Sequence, residues 1–299
     1  MLKILNSNCI YSFSKENKPI AKVKSGDSVE FYTMDCFGEQ VKSMDDKLEA
    51  IDWNKINPAT GSVYIENVMP GDVLKVTIEK IEIGNQAVIA TGENLGVLGD
   101  KLEGMTSRIL PIENDEIIFD HKLRIPLKKM IGVIGVAPEG EGINCGTPGE
   151  HGGNMDNAMI GEGATLYFPV FVEGGLFALG DLHAVMGDGE ISVTGAEASG
   201  RVQVKLEVVK GIKINSPLLE NDEIISTIAS KETLDEAVDA SVHQMAELLK
   251  ERVDMSLSEI AMLLSLVGNT EICQVVDPLK TARFNVPKWV LEKYSFKLY

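Results

Sequence analysis

The chain has 299 residues, 28 Lys and Arg against 45 Asp and Glu for a formal net charge of −17, and 44% hydrophobic residues, which is ordinary globular material and not an acidic disordered chain. A body this negative is repelled by phosphate backbones and anionic lipid headgroups, because nucleic-acid binding neutralises phosphates with Lys and Arg. We therefore expect no nucleic-acid and no membrane partner, and a neutral small molecule or a cation in any site.

The opening MLKILNSNCIYSFSKENKP lacks the charged, apolar and small-residue succession of a signal peptide, and no apolar run approaches the roughly 18 residues of a membrane span. A cytoplasmic protein is expected. Cys9, Cys36, Cys145 and Cys273 are far apart and form no CxxC pair, which predicts free thiols.

From Ile20 to about Val208 the chain reads as short strands punctuated by Gly, Pro and Asn. Val29, Phe31 and Thr33 alternate with Glu30 and Tyr32, and Asp35 closes that strand before the Cys36-Phe37-Gly38 turn. In GDVLKVTIEKIEI, residues 71–83, apolar Val76, Ile78, Ile81 and Ile83 alternate with polar residues but slip by one at Glu79-Lys80, as at a β-bulge. Ile191, Val193 and Gly195 alternate with Ser192 and Thr194, and Val202, Val204, Leu206 and Val208 with Gln203, Lys205 and Glu207, predicting two more strands. Closely spaced turn residues favour an antiparallel β-sandwich or barrel-like body over a parallel sheet crossed by helices.

After about residue 228 the texture becomes helical. Thr233 with Glu236 and Ser256 with Glu259 form capping boxes ahead of apolar residues at three- and four-residue spacing, and Gly268 is placed to end the second helix with positive φ. Pro278 and Pro287 bracket a final strand. The fold class expected is mainly β, with a body at 1–218 and a smaller α+β C-terminal portion at 219–299, joined at the acidic LLENDE turn.

Chemistry-bearing residues concentrate in glycine-rich text, where backbone can approach a ligand closely. In GEGINCGTPGEHGGNMD, residues 140–156, six of seventeen residues are glycine, yet Glu141, Cys145, Glu150, His151, Asn154 and Asp156 share it. A solvated surface loop would carry the same residues. In GGLFALGDLHAVMGDGE, residues 174–190, Asp181 and His183 stand two apart at the end of an apolar strand, so both side chains leave one face and can share one metal ion. Alternatively His183 is a core histidine hydrogen-bonded to Asp181, Asp188-Gly189 is a plain hairpin turn, and Asp35 merely caps its turn. His121 and His243 sit in ordinary contexts. No GxSxG elbow, HExxH helix, P-loop or GxGxxG strand-to-helix turn is present, which removes the usual support for serine hydrolases and nucleotide binders.

The strings NPATGSVYIENVMPGDVL, MIGVIGVAP, PGEHGGNMDN, LYFPVFVEGGLFALGDLHAVMGDGE and CQVVDPLKTARFNVP, in this order over almost the whole chain, resemble the acetamidase/formamidase family. The resemblance implies a mainly β fold with a divalent metal that hydrolyses short amides such as formamide or acetamide to ammonia and a carboxylate. Combined with placement, it gives Asp35, Asp181 and His183 as expected metal ligands, with His151 as a further ligand or oxyanion donor. Glu190 or Asp156 would be the proton shuttle, and Gly152, Gly153 and Asn154 would offer donors to the substrate oxyanion. A mixed His and carboxylate set suits zinc or manganese better than calcium, and zinc is the expected ion. Two other readings remain open: a Cys145 thiolate amidase with His151 as base, and a non-catalytic small-molecule or metal-binding β-sandwich module. Exposed sheet edges and the helical tail suggest a homodimer or larger homo-oligomer.

Overall fold

The computed structural model describes residues 1–43 and 46–299. Two large sheets stack on one another. One has nine strands in the order Leu2–Ile4, Ser28–Thr33, Gly200–Val209, Val73–Ile83, Thr165–Pro169, Leu218–Glu220, Ile224–Lys231, Lys280–Pro287 and Asn269–Gln274. The second has eleven strands and is centred on Phe177–His183, which pairs with Met130–Gly135, Ala59–Ile65 and Glu197–Ala198. Pairing is antiparallel except where Leu2–Ile4 meets Ser28–Thr33 and Ala21–Val23 meets Ala59–Ile65. The mainly β expectation holds.

Alternation in the sequence places the core between the sheets. Phe31, Ile78 and Val204 from the first meet Ile131, Phe177 and Leu179 from the second, and the Phe31 and Phe177 rings cross edge-to-face at 5.7 Å. Each such side chain stabilises the fold by roughly 1.5–3 kcal/mol through removal from water. The expected bulge is present: Ile78 pairs with Val204 and Lys80 with Gln203, leaving Glu79 unmatched, so that Ile78 and Ile81 both reach the core.

Helices α1 (Leu234–Lys250), α2 (Leu257–Val267) and α3 (Lys288–Lys293) follow the body strands, and both capping boxes are formed. Met245, Leu248 and Leu249 of α1 pack with Phe284 and Val286 of the Lys280–Pro287 strand. Gly268 does not end α2 with positive φ: its φ is −83°, and glycine is required because a Cβ would lie 2.2 Å from the Phe284 ring. The strand expected at Ile191–Gly195 is likewise absent. Those residues turn, with φ at +49° for Glu190 and +77° for Val193, because Thr194 leaves the alternation to bond both backbone groups of Ala90. Among the described residues no helix is long and apolar enough to cross a membrane.

Candidate active site

The wholly buried Phe177–His183 strand supplies the centre of the site. Pairing sets His183 opposite Glu197, and His183 Nε2 stands 3.3 Å from Glu197 Oε2, 3.5 Å from Asp181 Oδ1 and 3.6 Å from Asp156 Oδ1. Asp181 has φ +57° and Asp156 +41°, a conformation that costs non-glycine residues energy and that a packed surround must hold in place. Two glycines make the room. A Cβ at Gly132 would come within 2.4 Å of Asp181 Oδ2 and 2.5 Å of Asp156 Oδ1, and one at Gly195 within 2.3 Å of His183 Nδ1.

Glu190 comes from the turn after the strand. Its neighbour Gly189 is bonded to the edge of Asn269–Gln274, Gly189 N–H donating to Cys273 O at 2.8 Å and Gly189 O accepting from Val275 N–H at 3.2 Å. Glu190, Asp156 and His183 have ligand atoms within 4.8 Å of one another, as do Cys36, Asp181 and Glu197. Asp277 arrives from the C-terminal portion and accepts a hydrogen bond from Asn154 Nδ2 at 3.0 Å. Gln274 Oε1 holds that turn by accepting from the backbone N–H groups of Val276 and Asp277. A cavity of about 380 Å³ opens onto Asp181, Glu190, Glu197, Asp277, Cys36 and Asn154, with Phe37, Leu48, Trp53, Leu95 and Pro278 among its apolar walls.

So many acids cannot all ionise in a buried space without compensation. Burial pushes the Asp156 carboxyl up to about 7, with Asp181 adding to the effect and His183 opposing it. Burial and neighbouring carboxylates push Glu190, Glu197 and Asp277 well above the usual carboxylate range. Burial acts on Asp181 and His183 too, but their mutual attraction outweighs it, holding the acid low and the imidazole high. With the acids ionised, both oxygens of Asp156, Asp181 Oδ1, Glu197 Oε2 and both nitrogens of His183 are buried without a hydrogen-bonding partner, whereas a proton on Glu190 or Asp277 would bond Asp156 and one on His183 would bond Asp181. Buried polar atoms are almost always partnered, so orphaned donors and acceptors facing one another fit a cation. Imidazole and carboxylate groups are suitable ligands for zinc or manganese.

The structure gathers Asp181, His183, Asp156 and Glu190, and brings Asn154 to the cavity. Asp35 is buried close by, with its carboxyl pushed up to about 6 chiefly by burial, but its Oδ1 accepts from Glu39 N–H at 2.8 Å and it caps its turn. The next residue, Cys36, faces Asp181 and Glu197 instead. His151 packs edge-to-face on Phe13 at 5.2 Å, and burial lowers its imidazole to about 4. Gly152 and Gly153 pair with Gly135 and Ile134, and Gly152 N–H is already bonded to Gly149 O. Cys145 lies among Phe13, Val133 and Ala178, hydrogen-bonded to Ile10 O, its thiol pushed up to about 12 by burial. Neither Cys145 nor His151 lines the cavity. Asp188 is no mere turn residue, since its carboxylate pairs with buried Arg283, which also bonds Asn157 beside Asp156.

Sequence reasoning passed over Glu197, Asp277 and Cys36. Asp277 lies within the CQVVDPLKTARFNVP string, which was a usable signal. Glu197 is visible only from its cross-strand register with His183, and Cys36 only from the turn that Asp35 caps.

Residues 9–144 and 140–288 match the Acetamidase/Formamidase family. The structure superposes on a predicted acetamidase/formamidase from the thermophile Thermoanaerobacter tengcongensis with a TM-score of 0.98 and 54% identity, covering 99% of this chain and 98% of that one. It also superposes on an acetamidase from Bacillus halodurans with a TM-score of 0.96 and 46% identity, covering 98% and 99%. A formamidase from Methylophilus methylotrophus is 27% identical over 271 residues, 70% of this chain and 67% of its own length, so the chain spans about two thirds of that relative. The chain belongs to the acetamidase/formamidase family of amide hydrolases.

Proposed function

We propose that the chain hydrolyses small neutral amides of the formamide or acetamide type to ammonia and a carboxylate, at the cavity above Asp181, with a divalent ion held by Asp156, Asp181 and His183. The observation that carries this reading is the set of buried, unpartnered ligand atoms facing one another around His183 Nε2. Zinc suits that donor set. When bound, such an ion lowers the pKa of water from about 15.7 to about 7 and polarises a carbonyl.

The remaining work falls to side chains of this chain. Glu190 faces the cavity and sits beside Asp156, and burial first and that neighbour next raise its carboxyl well above the usual carboxylate range. It is the group placed to deliver a proton to the departing amine, which an unactivated amide requires. Asn154 has its NH2 group tied to Asp277 and its Oδ1 buried without a partner, so an amide N–H of the substrate is its natural complement. Phe37, Leu95 and Pro278 offer an apolar surface for an acyl group. A neutral substrate avoids the repulsion that a carboxylate would meet, and the anionic product is expelled by the same field.

Ammonia release from formamide, acetamide, propionamide and urea, measured before and after chelation and again after zinc is restored, tests this function. Activity on the first two that chelator abolishes and zinc restores is the expected result; undiminished turnover in the metal-free protein refutes it. We also propose a homo-oligomer, supported by the exposed apolar residues Leu257, Met262 and Leu266 on α2. Light scattering that returns a monomer mass at micromolar concentration would exclude it.

A further inference from the structure

We infer that Cys36, Asp181 and Glu197 form a second cation position, on the cavity side of the first, for a divalent ion that accepts a thiolate, such as zinc. This deepens the metal reading above, on which it rests, because Asp181 stands in both groups.

Geometry comes first. The Cys36 sulfur and one oxygen each of Asp181 and Glu197 lie within 4.8 Å of one another, and all three residues are buried. Zinc binds sulfur at about 2.3 Å and carboxylate oxygen at about 2.0–2.2 Å, so one ion reaches all three atoms with only small side-chain adjustments. Glu197 Oε2 and Asp181 Oδ1 are without hydrogen-bonding partners where they face His183 Nε2, and both residues are at most 2% exposed. Each donor is held by rigid structure. Glu197 pairs with His183 and Val88 in the sheet, and Cys36 O accepts from Asn57 N–H at 2.7 Å inside a turn that Asp35 caps.

Charge points the same way. Asp156, Asp181, Glu190, Glu197 and Asp277 crowd five carboxyl groups around one imidazole. A single divalent ion offsets two of the negative charges they can carry, and a second offsets more than the Cys36 thiolate adds. The other buried thiols are engaged elsewhere, Cys145 with Ile10 O and Cys273 with Arg283. Cys36 instead faces Asp181 and Glu197. On binding, the Cys36 S–H bond breaks, its proton leaves to solvent, and the sulfur lone pair forms the bond to the metal.

The test uses the full chain, stripped by chelator and titrated with cobalt(II) alone. Two ions per chain are expected, and a near-ultraviolet thiolate-to-cobalt charge-transfer band should grow with one of them. In Cys36→Ala the band vanishes and one ion is lost; in Cys273→Ala both are kept. One ion without the band, or a band that survives in Cys36→Ala, overturns the second position while leaving the first standing. No cobalt at all, with chelator-resistant ammonia release, overturns both. Should Cys36→Ala fail to fold, stoichiometry and band in the unsubstituted chain decide the matter.

Discussion

Two buried histidines in glycine-rich surroundings meet opposite fates. His151 is 1% exposed and His183 0% exposed, and neither ring has a hydrogen-bonded nitrogen. Around His151 the neighbours are the Phe13 ring and the backbone of Gly149 and Gly153, so burial alone acts and drives the imidazole down to about 4. Around His183 stand Asp156, Asp181 and Glu197, and their attraction overcomes an equal or greater burial and raises it. A buried histidine is therefore a packing group or a site group according to what faces it, and only the second kind creates demand for a cation.

The largest contrast is expected on removing each ring. His183→Ala should lose bound metal and reduce kcat/KM on the order of 10³-fold, since a metal contributes several kcal/mol to such reactions. His151→Ala should keep its metal. Metal analysis with ammonia-release kinetics on both variants checks this, and equal metal loss in the two would erase the distinction.

Acid stability sharpens the comparison from the other side. With its pKa depressed from 6.5 to about 4, folded His151 refuses a proton that the unfolded chain takes up. Its contribution is thus full above about pH 6.5 and is lost as pH falls toward 4, amounting to about 3 kcal/mol. Urea unfolding of the native chain and of His151→Leu across that window should show the variant with the flatter profile.

Within the His183 cluster, Glu190→Gln keeps the shape but removes the proton. A fall in kcat/KM of roughly 10²-fold with metal content unchanged is expected, and an unaltered rate would move the proton-transfer role to another group. The smallest effect concerns room for the ring. Gly195→Ala should push His183 out of place, destabilise the fold by about 1–3 kcal/mol and weaken metal binding, whereas Gly140→Ala, where a Cβ meets nothing within 4 Å, should be neutral. Thermal melts with and without metal separate the two.

Much of the architecture was legible because its determinants are local. Alternation marks Ser28–Thr33, Val73–Ile83 and Gly200–Val209, the Glu79 slip marks a real bulge, and Thr233 with Glu236 marks where α1 begins. Alternation misled at Ile191–Gly195, where Thr194 bonds the neighbouring Gln86–Gly92 strand and the chain turns to bring Glu190 inward. In the site, Asp181 and His183 were readable as a pair two residues apart on one strand. Glu197 joins them across the sheet, Cys36 from a turn some 145 positions earlier, and Asp277 from the C-terminal portion, and no local pattern encodes those meetings. Asp35 and Cys36 show how fine the division is: adjacent residues, one bonded to its own turn and one turned toward the acids.

By itself the sequence determined the mainly β class, the two capped helices, the excess of acid and the strings that mark the family. Tertiary structure alone decided which acids share one buried space, because a carboxylate acts on a pKa or an ion only through distance and surrounding dielectric, and both are set where strands pair and loops dock. The sequence count of −17 acquires chemical meaning only at that point, where a few of those charges are gathered around His183.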